Sequence, residues 1–351
     1  MAPPLDTPRN AESGADRNAE VDLALTDLGP LAWVLDELRK AVGSATRALR
    51  RFVQDSEGLS PSERSSADAS QLRIARQQLH QAAGAMDMVG QAAPAGILRA
   101  MEGAAQQCIQ RPELCNDDAV GRMERAGFGL LQYLEAVLQG KPASPVALFP
   151  QYRDVQALAG QERAHPADLW PMEWRWVDPD MLGTVPPVSP LAYEAAVRAR
   201  FEQAVLKVIK SQDVAAARLL RDTCLGFSAA QTARQPLVFW KIAAGFFEAL
   251  SLGLCPFDVH IKRATSRVLQ QYTALARGEL GVSDRLAQDL VFFCAQAQPA
   301  LDVQAPALEA VRRGFGLAGW KGVDYENSPF GRFDPALGPR IGVPHPANSP
   351  S

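Results

Sequence analysis

The sequence predicts an all-α fold with two domains, a four-helix bundle followed by a second helical domain. The chain has 351 residues, more than one hydrophobic core usually organises. Its long segments are rich in Ala, Leu, Gln, Arg and Glu, which favour helices, whereas aromatic residues make up only 7%. Apolar residues in these segments recur every three or four positions, the period of an α-helix.

Four such segments between residues 22 and 140 predict the bundle. The expected helices cover residues 30–53, 67–89, 94–111 and 117–138. Asn116 can cap the fourth helix. On that helix we expect an inward face of Val120, Met123, Phe128, Leu131, Leu134 and Leu138. Because the connections are short, neighbouring helices should be antiparallel.

Residues 141–189 are rich in proline and show no sustained helical period, so they predict a linker. Three tryptophans lie within it, Trp170, Trp174 and Trp176. Exposed tryptophans this close together are unfavourable, and we therefore expect the segment to strap across a domain face. The alternative is that these tryptophans form a groove for a peptide or partner.

The second helical domain is expected over residues 190–320. Its helices should lie near 190–209, 212–225, 229–252, 256–276, 283–298 and 304–316. Ser189 and Pro190 read as a cap and a first-turn proline, and Ser228 with Gln231 has capping-box spacing. Large apolar side chains crowd one helix and predict a core, namely Phe239, Trp240, Ile242, Phe246, Phe247 and Leu250.

The two ends of the chain and its charge pattern disfavour a nucleic-acid-binding protein and a membrane protein. Residues 1–21 and 321–351 are expected to be a disordered tail and an irregular, Pro-rich tail. The net charge is −3 and the basic residues are scattered, which disfavours nucleic acid as a partner. With no signal-peptide pattern and no long apolar run, we expect a cytoplasmic protein without direct membrane insertion.

The five cysteines and the other histidines give weak signals. Cys108 and Cys115 are seven residues apart with no further ligand pair nearby, so no metal site and no disulfide is expected. His260 lies near a predicted helix start and is expected at the surface. The chain has no Gly-rich phosphate loop and no Gly-rich ATP lid, so we expect neither a bound cofactor nor enzymatic activity.

One constellation on the second helix carries chemistry. Arg76, His80, Gly84 and Asp87 recur with helical spacing beside the apolar stripe, so the His80 imidazole should reach solvent. Gly84 removes a side chain one turn from His80, at about 1 kcal/mol of helix propensity relative to Ala. Glu102 follows one helix later. A histidine exposed in this way is open to a phosphoryl donor.

This pattern resembles the histidine-phosphotransfer family, in which a His is followed by Gly at +4 and by a Glu about 22 residues later. The resemblance implies that His80 is the candidate phosphoacceptor, that Glu102 orients its ring and that Gly84 clears space for a partner. Arg76 and Asp87 are the candidate partner surface. The family usually has Lys at +3, whereas this chain has Ala83, which we expect at the edge of the apolar stripe.

A closer resemblance is to FimL-like proteins and to the N-terminal region of Chp-type hybrid kinases, over about residues 22 to 337. The segments that carry it are residues 72–81, 110–115, 146–152 and 330–337. It implies a non-catalytic signalling scaffold of a chemosensory phosphorelay that controls type IV pili and twitching motility. Receiver domains of response regulators, or chemosensory or pilus polar proteins, would be its partners. The alternatives are a phosphocarrier with His80, or a truncated N-terminal fragment of a hybrid sensor kinase.

Overall fold

The computed structural model describes residues 28–181 and 183–331, and within them the chain is helical, with no β-strand. The α-helices are α1 Gly29–Asp55, α2 Pro61–Ser65, α3 Ser70–Met88, α4 Ala92–Gln110, α5 Asp117–Leu138, α6 Phe149–Leu158, α7 Ala195–Ser211, α8 Val214–Ala230, α9 Arg234–Ser251, α10 Val259–Ala276, α11 Asp284–Gln296 and α12 Pro306–Gly314. Short 3-10 helices cover Pro112–Leu114, Pro145–Leu148 and Pro166–Leu169. The all-α prediction is confirmed. The expected tail at 1–21 lies outside the described residues; of the expected tail at 321–351, only residues 321–331 are described, and they contain no helix.

The chain divides into two compact units whose segments alternate along the sequence. Of the described residues, 28–143, 154–161, 330 and 331 lie in the first unit, and 144–153, 162–181 and 183–329 lie in the second. The segment predicted as a linker therefore contributes to both units.

The first unit is built on four long helices. Helix α1 packs against α3 and α5, and α4 packs against the same two helices. Side chains of α3 and α4 pair in reversed order, His80 with Glu102 and Asp87 with Arg99, so these two helices run antiparallel. The Asn116 side chain accepts a hydrogen bond from the Ala119 amide at 2.9 Å, which confirms it as the cap of α5.

The inward face of α5 differs from the predicted one. Phe128 is 43% exposed, and Gly127 faces α1 instead. A Cβ at Gly127 would lie 2.7 Å from Val42 Cγ1, so the two helices approach each other more closely there than any larger residue would allow. The expected stripe was set by large apolar residues, and it missed a face that depends on a small one.

The second unit is organised around α9, which packs against α8, α11 and α12. This helix is buried on almost every side, as expected of one that is apolar all round. The core prediction is confirmed for five large residues with no exposed surface, Phe239, Trp240, Ile242, Phe246 and Phe247. Trp240 meets an aromatic cluster that includes Phe227 at 4.9 Å between ring centroids.

Two buried charged side chains hold α12 in this unit. Glu248 on α9 is 2% exposed, and its carboxylate accepts a hydrogen bond from the Leu308 amide at 2.7 Å, in the first turn of α12. Arg312 on α12 is 5% exposed. Its guanidinium donates to the backbone carbonyls of Cys294, Ala295, Ala297, Leu317 and Trp320. Both groups satisfy backbone atoms at helix ends, where intrahelical partners are missing.

The segment between residues 141 and 189 is more ordered than its sequence predicted. It contains α6, a ten-residue helix with too few apolar positions to show a sustained period. Trp170 is buried and meets Phe292 edge-on at 5.5 Å, and Trp174 stacks on Phe315 at 5.7 Å. The tryptophans thus pack against helices α11 and the end of α12 within the second unit.

Two helix boundaries were predicted wrongly in the second domain. Helix α7 begins at Ala195 rather than at Ser189-Pro190. Ser228 lies inside α8, and its hydroxyl donates to the Leu237 carbonyl at 3.1 Å instead of capping a new helix. Capping residues are common in loops, so their spacing alone does not fix a helix start. No helix among the described residues combines the length and apolarity needed to cross a lipid bilayer.

Candidate functional site

His80 lies on α3 in the first unit and points to solvent. Its side chain is 72% exposed, while its neighbours along the helix, Leu79 and Ala82, are buried in the bundle. The helix therefore buries one face and presents the adjacent stripe, as the spacing predicted. An imidazole in this position is accessible to another protein.

Glu102 on α4 fixes the orientation of the His80 ring. One carboxylate oxygen of Glu102 lies 3.0 Å from Nδ1 of His80, and the Glu102 side chain is only 19% exposed. A carboxylate can only accept a hydrogen bond, so this contact places the ring proton on Nδ1. Nε2 of His80 has no hydrogen-bond partner among the described residues. Nε2 is then the nitrogen with a lone pair facing solvent.

Arg76 stands one helical turn before His80 on the same face. Its Nε atom lies 4.0 Å from the Glu102 oxygen that also contacts His80, and its side chain is 47% exposed. The carboxylate thus lies between a guanidinium and an imidazole. A positive charge is present beside the ring, although it comes from the −4 side and not from the +3 side.

The other two candidate residues border this group. Asp87 forms an ion pair with Arg99 on α4, and both side chains remain about half exposed. At Gly84 an added Cβ would meet no atom within 4 Å, so the bundle itself does not require glycine there. Exposed ion pairs of this kind contribute little to stability. These residues form an open polar surface around His80.

Ala83 does not lie at the edge of the stripe. It is only 3% exposed and packs inside the bundle, so a Lys at this position would have to bury its charge or distort α3. The expected position of Ala83 at the edge of the apolar stripe is therefore wrong. The absence of a +3 cation is built into the packing of this helix.

The other histidines differ from His80. His260 is 3% exposed, which corrects the expected surface position, and both of its ring nitrogens are buried without a hydrogen-bond partner. His165 caps the 3-10 helix Pro166–Leu169, because its Nδ1 accepts a hydrogen bond from the Ala167 amide at 3.0 Å. Sequence reasoning did not identify His165 and His260 as neighbours, although their ring centroids lie 5.3 Å apart.

All five cysteines are free thiols. Among the residues described, no group of three or more His, Cys, Asp or Glu side chains is arranged to hold a metal ion. Cys108 and Cys115 are both buried in the first unit, and the hydrogen bond that the Cys115 thiol donates to Cys108, together with burial, raises the pKa of Cys115. These thiols are part of the core.

Comparison with known proteins adds one finding. Residues 186–328 match the family model described as the FimL scaffold protein second domain. No curated protein and no solved structure matches the chain. The matched range begins just before α7 and ends after α12, and so covers every helix of the second unit from α7 onward. This part of the chain is therefore similar to the second domain of the FimL scaffold protein family.

Proposed function

We propose that this protein is a non-catalytic scaffold of a chemosensory signalling pathway, acting in the cytoplasm through its surfaces. The observation that carries the proposal is the match of residues 186–328 to a domain of a scaffold protein family. The proposal extends to the control of type IV pili and twitching motility, as the resemblance of the whole chain implies. Its partners would be receiver domains or proteins located at the cell pole.

The shape of the first unit supports a docking role. A stripe of exposed side chains runs along α3 past His80, and Gly84 leaves the surface one turn further on without a side chain. Glycine at this exposed helical position lowers helix stability by about 1 kcal/mol relative to Ala. Since no packing contact requires it, access by another protein would account for its presence.

The scaffold proposal is tested by separating binding from phosphorylation. We expect His80→Ala to leave partner association and twitching unchanged, since a scaffold needs the surface and not the imidazole. Association is measured by co-purification with candidate receiver and polar proteins, and twitching by colony expansion. If His80→Ala abolished twitching while the protein remained folded and partner binding persisted, a pure scaffold would be excluded.

A phosphocarrier is the second candidate, and the geometry at His80 favours it. An oriented ring with a free Nε2 and a nearby guanidinium supplies the positioning and the charge on which phosphoryl transfer depends. In the transfer, Nε2 would attack the phosphorus of an aspartyl phosphate and the carboxylate would leave. The proton on Nδ1 would stay hydrogen-bonded to Glu102.

Label transfer from a phosphorylated receiver tests this candidate directly. A phosphocarrier would show an acid-labile adduct on the native chain and none on His80→Ala, which is the blank. Arg76→Gln tests the contribution of charge, because loss of a cation near the surface should lower the initial rate of transfer several-fold. Absence of label with several donors would rule out the phosphocarrier.

A further inference from the structure

The second unit contains a polar cavity whose lining shares no residue with the His80 group. Its volume is about 670 Å³, within the range of small-molecule pockets. Three parts of the chain line it, the residues around the 3-10 helix Pro166–Leu169, one face of α10 and the start of α11. On α10 the lining residues His260, Arg263 and Arg267 recur with helical spacing.

The charges in this cavity are unbalanced. Four guanidinium groups, those of Arg163, Arg263, Arg267 and Arg285, face two carboxylates, those of Asp168 and Asp289, which leaves an excess of two positive charges. The carboxylates are already paired. Arg285 donates to Asp289 at 2.7 Å and contacts Asp168 at 2.5 Å, while Arg267 donates to Asp289 at 3.0 Å.

Arg163 and Arg263 are the free cations of the cavity. Neither has an ion-pair partner among the described residues, and both are exposed, so that a ligand can reach them from solvent. A guanidinium presents several donors in a plane and binds phosphate through paired hydrogen bonds. These two side chains can be recruited by a ligand without breaking an internal ion pair.

The two histidines that line the cavity contribute no charge. Burial and the arginines around it lower the pKa of His165 to about 2, and burial lowers the pKa of His260. Asp289 lies 3.7 Å from His165 Nδ1, but that nitrogen accepts from the Ala167 amide, so the contact is not an ion pair. The excess positive charge therefore belongs to the arginines alone.

His260 supplies a second, independent indication of a ligand. Its ring is almost fully buried, it lines the cavity, and neither nitrogen has a hydrogen-bond partner among the described residues. Its neighbours are the rings of Phe149, His165 and Tyr325, which give it aromatic contacts but no acceptor or donor in reach. Buried polar groups left unpaired are rare in folded proteins, and each one calls for an explanation.

We propose that this cavity binds a small organic phosphate, a phosphomonoester of a sugar or nucleoside, as an effector of the second domain. Arg163 and Arg263 bind the phosphate group, and a polar group of the ligand pairs with the His260 ring. A phosphomonoester carries nearly two negative charges at neutral pH, which matches the excess of the cavity. A concave site of this size favours a small molecule over a macromolecular surface.

Binding is tested by calorimetric titration of the full chain with three phosphates. Ribose 5-phosphate contains the phosphate group on a sugar, AMP contains it on a nucleoside, and inorganic phosphate contains it alone. Ribose and adenosine are the uncharged counterparts. We expect the phosphomonoesters to bind and the uncharged molecules not to. Tighter binding of one ester would show whether the cavity prefers a sugar or a nucleoside attached to the phosphate. Binding of adenosine as tight as that of AMP, or no binding of any phosphate at millimolar concentration, would overturn the proposal.

Variants locate the site on the chain. We expect Arg163→Gln combined with Arg263→Gln to weaken binding of the tightest ester at least about tenfold, since two charge-assisted contacts are lost. The matched control is Arg218→Gln, an exposed arginine on α8 away from the cavity, which should bind as the native chain does. Because neither cavity arginine holds an internal ion pair, the melting temperature should not change.

His260→Phe keeps an aromatic ring at the position and removes the two nitrogens. We expect weaker ester binding with an unchanged or higher melting temperature, because the unpaired polar atoms are gone. Unchanged ester affinity in the double arginine variant would place binding elsewhere on the chain and refute the assignment. Unchanged affinity in His260→Phe would refute the proposed contact with the ring.

Discussion

The His80 group of the first unit and the His165–His260 cavity of the second unit use the same side chains in opposite surroundings. Both combine imidazole, carboxylate and guanidinium groups. At His80 the ring is 72% exposed and its hydrogen bond to Glu102 lies at the surface of a helix. In the cavity, Asp289 is 4% exposed and holds two arginines. Solvent access separates a surface where a partner can dock from a network on which the fold depends.

The two sites should differ most in how much stability is lost when the central carboxylate, Asp289 or Glu102, is replaced by its amide. Asp289→Asn leaves Arg267 and Arg285 without their shared charged partner, and we expect the free energy of unfolding of the second unit to fall by about 1–3 kcal/mol, since both guanidinium groups remain partly solvated. Urea denaturation, with hydrogen exchange to assign the loss to residues 162–329, measures the change. A loss below about 1 kcal/mol would show that solvent screens this network as it screens a surface pair.

Acidification should destabilise the second unit. The pKa of His165 is about 2 in the folded protein, whereas a histidine in the unfolded chain is protonated near pH 6.5. Between these pH values only the unfolded form carries the extra proton. The stability that this ring contributes is present above pH 6.5 and is lost as the pH falls from there toward 2. The free energy of unfolding should fall by on the order of 1 kcal/mol per pH unit. The lowered pKa of His260 acts in the same direction.

Two buried carboxyl groups have the opposite effect on the free energy of unfolding at lower pH. Burial raises the pKa of Asp289 and of Glu248, so the folded form takes up their protons first, above their ordinary range near pH 4. The test window is therefore pH 6.5 to 5.5. His165→Asn keeps an acceptor for the Ala167 amide and removes the titrating ring. Its urea midpoint should fall less steeply with pH than that of the native chain; identical slopes would contradict the prediction.

Gly84→Ala should stabilise the first unit by up to about 1 kcal/mol, since a methyl group fits without contact and alanine favours a helix. If the surface beside His80 receives a partner, binding should weaken at the same time. Gly96→Ala on α4 is the matched control, because it also meets no atom within 4 Å and lies six residues, about 9 Å, from Glu102. Equal effects of both variants on partner binding would argue against docking at His80.

Glu102→Gln should have the smallest effect on stability, within about 0.5 kcal/mol, because its contacts with His80 and Arg76 lie at the surface. It is the counterpart of Asp289→Asn in the exposed site. The same variant should slow any phosphoryl transfer to His80, since glutamine can also donate and no longer fixes the proton on Nδ1. Thermal unfolding and label transfer measure the two effects.

Local periodicity predicted most of the helices but not the residues that depend on close packing. The long stripe of α1 contains enough leucines and valines to define a face from the sequence. Ala83 and Gly127 are small, so their side chains give little hydrophobic signal, and only the neighbouring helix makes them buried. Helix α6 is too short for its few apolar positions to repeat.

The two sites differ in the same respect. His80, Gly84 and Glu102 form a local motif within 23 residues, and the structure brings His80 and Glu102 together at 3.0 Å. The cavity draws on segments more than 100 residues apart, from Arg163 to Asp289. In the sequence, nothing distinguishes the arginines of the cavity from ordinary surface residues. A helical spacing of His260, Arg263 and Arg267 was the one local signal, and it does not distinguish a cavity from a solvated face.

The alternating membership of the two units has a consequence for how such a protein can change over time. The backbone passes from one unit to the other four times, at residues 143–144, 153–154, 161–162 and 329–330. A recombination event that cuts the gene once, anywhere between these points, would transfer part of both units and complete neither.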